Sequence, residues 1–218
     1  MLKCNKLLAA VLLVIILFMV FFSKTSRFEN SLDKTLAELD DGSLSDKNTI
    51  HSYLAVYEEL FSGIKNDVKN ILEIGVREGG SIKLWSDYFP NCTVHGADIE
   101  APSVVKQYDR AVFHIQDAYT VDFVKKFDVK FDIIIDDGPH TLESMIFAVK
   151  NFMDLLTDDG MLIIEDVQEI GWCDILKSNT PEQYHNMIKI YDRRDVKGRY
   201  DDIMFCIIKK QATMTIQQ

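Results

Sequence analysis

Apolar and polar positions fall into two regimes along the chain. From Leu7 to Phe22 every residue is apolar, sixteen in a row without charge, glycine or proline. As a helix this run is about 24 Å long, and Lys3, Lys6 and Lys24 can snorkel to extend its reach across a bilayer. No A-x-A-like site follows it, so residues 1–24 are expected to form an uncleaved N-terminal transmembrane helix rather than a signal peptide. Residues 25–45 are polar and acidic and read as a juxtamembrane linker with room for a short helix.

Past Ser45 the pattern changes to short apolar runs alternating with amphipathic segments. Apolar runs at Ile71–Ile74, Thr93–Asp98, Ala111–Ile115, Phe131–Asp136, Met161–Glu165, Met187–Tyr191 and Ile203–Lys209 predict strands. Helical spacing over Asn48–Lys65, Ser81–Tyr88, Val121–Phe127 and Thr141–Leu156 predicts the elements around them, and Asp158–Asp159–Gly160 reads as a turn. Strands apolar on both faces, separated by helices, imply a parallel sheet covered on both sides. The last two runs lie too close together for a helical crossover, so they are expected to pair antiparallel. The expected fold is α/β, Rossmann-like and doubly wound, over residues 46–218. Its seven-stranded sheet is mostly parallel with an antiparallel last strand.

In such sheets ligands bind beyond the carboxyl ends of the strands. The first strand and its turn read ILEIGVREGGS, with Glu73, Gly75 and Gly79 in order. A dinucleotide fingerprint needs a second glycine where Arg77 stands, so a pyrophosphate fits poorly. A cofactor without phosphates relaxes that demand. An acid followed by G-x-x-x-G suits S-adenosylmethionine, whose methionine end carries an ammonium. Asp98 closes the next strand, where an acid accepts ribose hydroxyls, and Asp117 follows the third, where it can face the adenine.

Two further strands end on paired acids, Asp136–Asp137 in FDIIIDDGPH and Glu165–Asp166 in MLIIEDVQ. Neighbouring strands lie about 4.8 Å apart, so four carboxylates converging there repel one another unless a cation sits among them. A hard divalent ion such as Mg²⁺ takes oxygen ligands and keeps positions open for two substrate oxygens, as in a vicinal diol. His140, just beyond Asp137, is placed to take a hydroxyl proton as a general base, a task that suits a group titrating near neutrality. Trp172, after the second acid pair, is a candidate platform for a sugar face, or a residue that packs on the sheet. A formal net charge of −10 argues against a nucleic-acid partner. The four cysteines are too scattered for a zinc knuckle or redox pair.

Taken together, ILEIGVREGGSIKLWSDYFPNCTVHGADIE, FDIIIDDGPH and GMLIIEDVQ resemble class I S-adenosylmethionine-dependent methyltransferases. They are most similar to the metal-dependent sugar O-methyltransferases of the mycinamicin and macrocin type, and cephalosporin hydroxylase-like proteins share the pattern. SDKNTIHSYLAVYEELF resembles the segment ahead of the first strand in these proteins, and the likeness spans about residues 45–210. It implies a metal on Asp137, Glu165 and Asp166, a base at His140, and cofactor contacts from Glu73, Gly75, Asp98 and Asp117. Asp136 would orient the cofactor or support the metal ligands. The implied reaction is methyl transfer to a sugar or glycan hydroxyl. An iron-dependent hydroxylase of the same fold is the alternative, though no 2-His-1-carboxylate set is evident. A tethered, catalytically silent binding protein is another, against which stand the intact acids and histidine.

Overall fold

The computed structural model describes residues 32–38, 45–102 and 109–209. These form one sheet of seven strands: β1 (Asn70–Ile74), β2 (Thr93–Asp98), β3 (Ala111–Ile115), β4 (Phe131–Asp136), β5 (Leu156–Ile164), β6 (Ile188–Asp192) and β7 (Ile203–Ile208). Their order is β3-β2-β1-β4-β5-β7-β6. The first five strands pair parallel, while β7 runs antiparallel to both β5 and β6. The expected seven strands and antiparallel last strand are therefore present.

Successive strand residues point to opposite faces, and each face has its own core. Ile71, Ile133, Ile163, Met204 and Cys206 face one layer, built with Tyr57, Phe61, Trp85 and Phe89. Leu72, Ile134, Leu162, Phe205 and Ile207 face the other, with Phe123, Met145, Phe152 and Leu176. The first layer comes from α1 (Leu32–Glu38), α2 (Leu54–Phe61) and α3 (Gly80–Tyr88). The second comes from α4 (Val121–Lys125), α5 (Leu142–Asn151) and α6 (Trp172–Asn179), and α7 (Arg194–Lys197) is a single turn before β7.

Several boundaries differ from expectation, each for a local reason. The helix expected over Asn48–Lys65 begins only at Leu54, because residues 46–53 coil into turns that bond to Asp46 and Lys47 carbonyls. Ser52 is also held there, its hydroxyl donating to Asp202 at 2.5 Å. The helix expected over Thr141–Leu156 ends at Asn151 and continues as a 3₁₀ turn, Phe152–Leu155. Asp158–Gly160 lies inside β5, where the register against β4 shifts between Phe131 and Ile133 and absorbs the extra residues. Part of the segment expected to be a linker is α1, whose Leu32 and Leu36 are buried in the first core.

No helix among the described residues is long and apolar enough to cross a membrane. The expected transmembrane stretch, Leu7–Phe22, lies outside the described residues.

Candidate active site

The order of strands reverses at β1 and β4, and the ends of these two strands touch. Gly75 follows β1 with φ +85°, and a Cβ there would stand 1.9 Å from the carbonyl oxygen of Asp137. Only glycine fits such a position. Asp137 N–H donates to the Ile74 carbonyl at 2.8 Å, and Glu165 N–H donates to the Asp136 carbonyl at 3.0 Å. The rim of the sheet is thus laced from β1 through β4 to β5. Gly79, with φ 89°, is the N-cap of α3 and sets that helix against the rim.

Asp98, at the end of β2, accepts the N–H groups of Val76 and Arg77 on one oxygen and that of Glu100 on the other. Burial would raise its pKa, but these backbone donors outweigh it and hold the carboxyl below its usual range. Asp98 therefore fixes the glycine turn and stays ionised. Asp117 caps its own turn by accepting the Tyr119 N–H at 2.9 Å. Asp136 points to the second face, where it accepts the Tyr119 hydroxyl. Burial pushes its carboxyl up to about 7.

On the other side of Gly75 stand Asp137, His140 and Asp166. His140 Nε2 is 3.8 Å from Asp137 Oδ1 and 3.6 Å from Asp166 Oδ2. One ligand atom from each of the three lies within 4.8 Å of the others. Two carboxylates and an imidazole so grouped fit a divalent ion that prefers oxygen and tolerates nitrogen. His140 and Asp166 both hold left-handed backbone, φ 53° and 54°. Such strain in residues with a side chain is concentrated at functional sites.

The remaining oxygens of the two aspartates are held from behind. Asp166 Oδ1 accepts the Tyr53 hydroxyl at 2.5 Å. His51 Nδ1 lies 3.2 Å from that oxygen and 3.4 Å from Asp202 Oδ1, without the alignment of a hydrogen bond. Burial, then repulsion from Asp137, raise the Asp166 pKa. Asp137 Oδ2 accepts from Lys47 Nζ at 2.8 Å.

Glu73 and Glu165 sit beneath the rim on the first face, both about 1% exposed or less. Lys47 lies between them, 2.7 and 2.9 Å from the two Glu165 oxygens and 3.4 Å from Glu73 Oε1. Tyr57 also donates to Glu165 Oε1. Burial raises the pKa of both glutamates. It would lower that of Lys47, but Asp137, Glu165 and Glu73 outweigh it and hold the ammonium charged.

A cavity of about 960 Å³ opens over this rim. Of the residues singled out in the sequence, Gly75, Asp98, Asp117, Asp137, His140 and Asp166 line it, while Glu73, Gly79, Asp136 and Glu165 do not. Glu165, expected beside Asp137 and Asp166 as a ligand, accepts from Lys47 and Tyr57, its place in the strand alternation turning it under the sheet. Trp172 packs on the second core and does not line the cavity. Lys47, His51, Tyr53, Tyr57 and Tyr119 were not anticipated. The first four lie in SDKNTIHSYLAVYEELF, where polar residues interrupt an otherwise helical apolar stripe. That interruption was the available signal.

The fold is similar to that of solved S-adenosylmethionine-dependent methyltransferases. A methyltransferase of the mycinamycin biosynthetic pathway, solved in complex with Mg and SAH, superposes with a TM-score of 0.63 at 20% identity, over 85% of this chain and 57% of that one. Human methyltransferase-like protein 13 in complex with SAH gives 0.51 at 21% identity, over 69% and 78%. At these identities the likeness is one of fold.

In sequence the chain resembles sugar O-methyltransferases. It is 30% identical over 137 residues to the 8-demethyl-8-alpha-L-rhamnosyl tetracenomycin-C 2'-O-methyltransferase of Streptomyces olivaceus, covering 59% of this chain and 36% of that protein. To the mycinamicin VI 2''-O-methyltransferase of Micromonospora griseorubida it is 29% identical over 132 residues, 56% and 33%. To the demethylmacrocin O-methyltransferase of Streptomyces fradiae it is 26% identical over 148 residues, 63% and 37%. The aligned regions span about a third of these curated relatives' length. No family model matches the chain.

Proposed function

We propose that the chain is an S-adenosylmethionine-dependent O-methyltransferase that uses a divalent metal ion, with a sugar or glycan hydroxyl as acceptor. The observation that carries this reading is the contact between Gly75 and Asp137, which sets a cofactor turn against an acid-imidazole cluster in one cavity. The named activities of the similar proteins support the acceptor class.

When bound, S-adenosylmethionine supplies an electrophilic methyl group on a sulfonium sulfur, and Mg²⁺ supplies Lewis acidity toward an acceptor hydroxyl. Gly75 lets the β1 turn close on Asp137 and would line the methionine end of the cofactor, and Asp98, already ionised, would accept the ribose hydroxyls. Glu73 lends negative charge under that end. Asp117 and Tyr119 bound the adenine side, with Asp136 holding the Tyr119 ring in place. Asp137 and Asp166, whose Oδ1 and Oδ2 face His140, would hold the ion. Glu165 contributes negative charge beneath them. His140 accepts the proton of the acceptor hydroxyl at Nε2.

Incubation with methyl-labelled S-adenosylmethionine and a panel of glycosides carrying vicinal diols tests this. Label should enter a glycoside with Mg²⁺ present, and EDTA should abolish it. Transfer that ignores EDTA contradicts the metal assignment, and label in protein or RNA but in no glycoside contradicts the acceptor class.

The apolar stretch Leu7–Phe22 supports a single-pass membrane anchor for the enzyme. Its deletion should move the chain from the carbonate-washed membrane pellet to the supernatant; a full-length chain already in the supernatant contradicts the anchor.

A further inference from the structure

Lys47 is 1% exposed, and its ammonium makes three hydrogen bonds, to Asp137 Oδ2 and to both oxygens of Glu165. Burying an ammonium is costly unless its charge and donors are met, and here carboxylates meet both. Two of these partners, Asp137 and Glu165, are acids that the sequence assigns to the metal. Both oxygens of Glu165 are engaged, since Lys47 donates to each and Tyr57 also donates to Oε1. Asp137 offers only Oδ1 to the side where His140 and Asp166 stand. An ammonium and a divalent ion sharing one carboxylate also repel each other at close range.

We propose that Lys47 competes with the divalent ion for Asp137 and, by pairing with Glu165, masks the negative charge beneath the site, and so sets the ion's affinity. It is a positioning residue that acts through the two carboxylates. While the ammonium is in place, the ion has one oxygen each of Asp137 and Asp166, with His140 Nε2 left free beside them to act as the base. With the ammonium gone, the second Asp137 oxygen is released toward the ion, and the cluster, with Glu165 beneath it, becomes more negative by one charge. The competition keeps the ion weakly held and exchangeable. This rests on the metal reading of the site.

Calorimetric titration of Mn²⁺ into the full chain without cofactor tests it on wild type, Lys47→Met and Lys47→Arg. Lys47→Met should bind Mn²⁺ about tenfold tighter or more, as one freed carboxylate oxygen and one lost positive charge require. Lys47→Arg keeps the charge and should stay within about threefold of wild type. Adding Glu165→Gln to Lys47→Met should cancel most of the gain. Should Lys47→Met be too unstable to titrate, its melting temperature should rise more with Mn²⁺ than that of wild type. A Lys47→Met chain that binds Mn²⁺ no tighter than wild type, or gains no extra thermal stabilisation from it, overturns the proposal and leaves the metal reading intact. Wild type and Lys47→Met both failing to bind Mn²⁺ overturns the metal reading and the proposal together.

Discussion

His140 Nε2 faces Asp166 Oδ2 across 3.6 Å, and both residues hold left-handed backbone to do so. Left-handed backbone is uncommon for residues with a side chain and costs roughly 1–2 kcal/mol, so the facing pair is maintained against local strain. His140→Ala should lower methyl transfer by roughly a hundred- to ten-thousand-fold while S-adenosylmethionine binding persists. His140→Gly should be equally inactive but more stable than His140→Ala by about 1 kcal/mol, since glycine accepts φ 53° without cost. Paired denaturant melts of the two variants measure this, and equal stability argues against strain at the site.

Tyr53 orients the other end of the same carboxylate. Its hydroxyl donates to Asp166 Oδ1 at 2.5 Å and accepts the Asp166 N–H at 3.3 Å. Groups that hold metal ligands in place are worth roughly ten- to a hundredfold in metal affinity. Tyr53→Phe should weaken Mg²⁺ binding by that range, measured by titration, with little change in cofactor affinity. Its ring stays packed beside His51, 4.9 Å between centroids, so the fold should persist.

Acid stability should be limited partly by a histidine pair that does not line the cavity. His95 Nδ1 and His114 Nε2 lie 3.0 Å apart on β2 and β3, beside Phe127. Burial, then Lys126 and His95, push His114 down to about 4. Its pKa is thus lower folded than unfolded, so the unfolded chain takes up the proton first as pH falls. The stability it contributes is full above about pH 6.5 and is lost between there and pH 4. Melting temperatures across that window should fall less steeply for His114→Phe than for wild type. Parallel curves would show that the pair carries no such linkage.

Much of the scaffold was legible because its signals are local. Ile133–Ile135 and Leu162–Ile164 are apolar on both faces and admit little but buried parallel strands. Gly75 and Asp137 were legible as strand-end residues, and the β1–β4 contact followed from the topology. Glu165 was harder to place. Its neighbour Asp166 opens to the cavity, but alternation along the strand turns Glu165 beneath the rim, to partners more than a hundred residues away in sequence. Lys47 and Tyr53 were hidden for the same reason. In sequence Lys47 precedes the segment with helical spacing and Tyr53 lies off its apolar stripe, whereas in the fold they reach Glu165 and Asp166 across 118 and 113 positions. Such pairings depend on tertiary packing, which periodicity does not encode.

The most direct test of the site is a crystal of the chain grown with S-adenosylhomocysteine and Mn²⁺, with anomalous scattering recorded for the metal. A single strong peak should lie within ligand distance of Asp137 and Asp166, with the nucleoside beside Gly75 and Asp98. Nucleoside bound there with no metal peak at the aspartates, or a peak only elsewhere on the chain, would contradict the account.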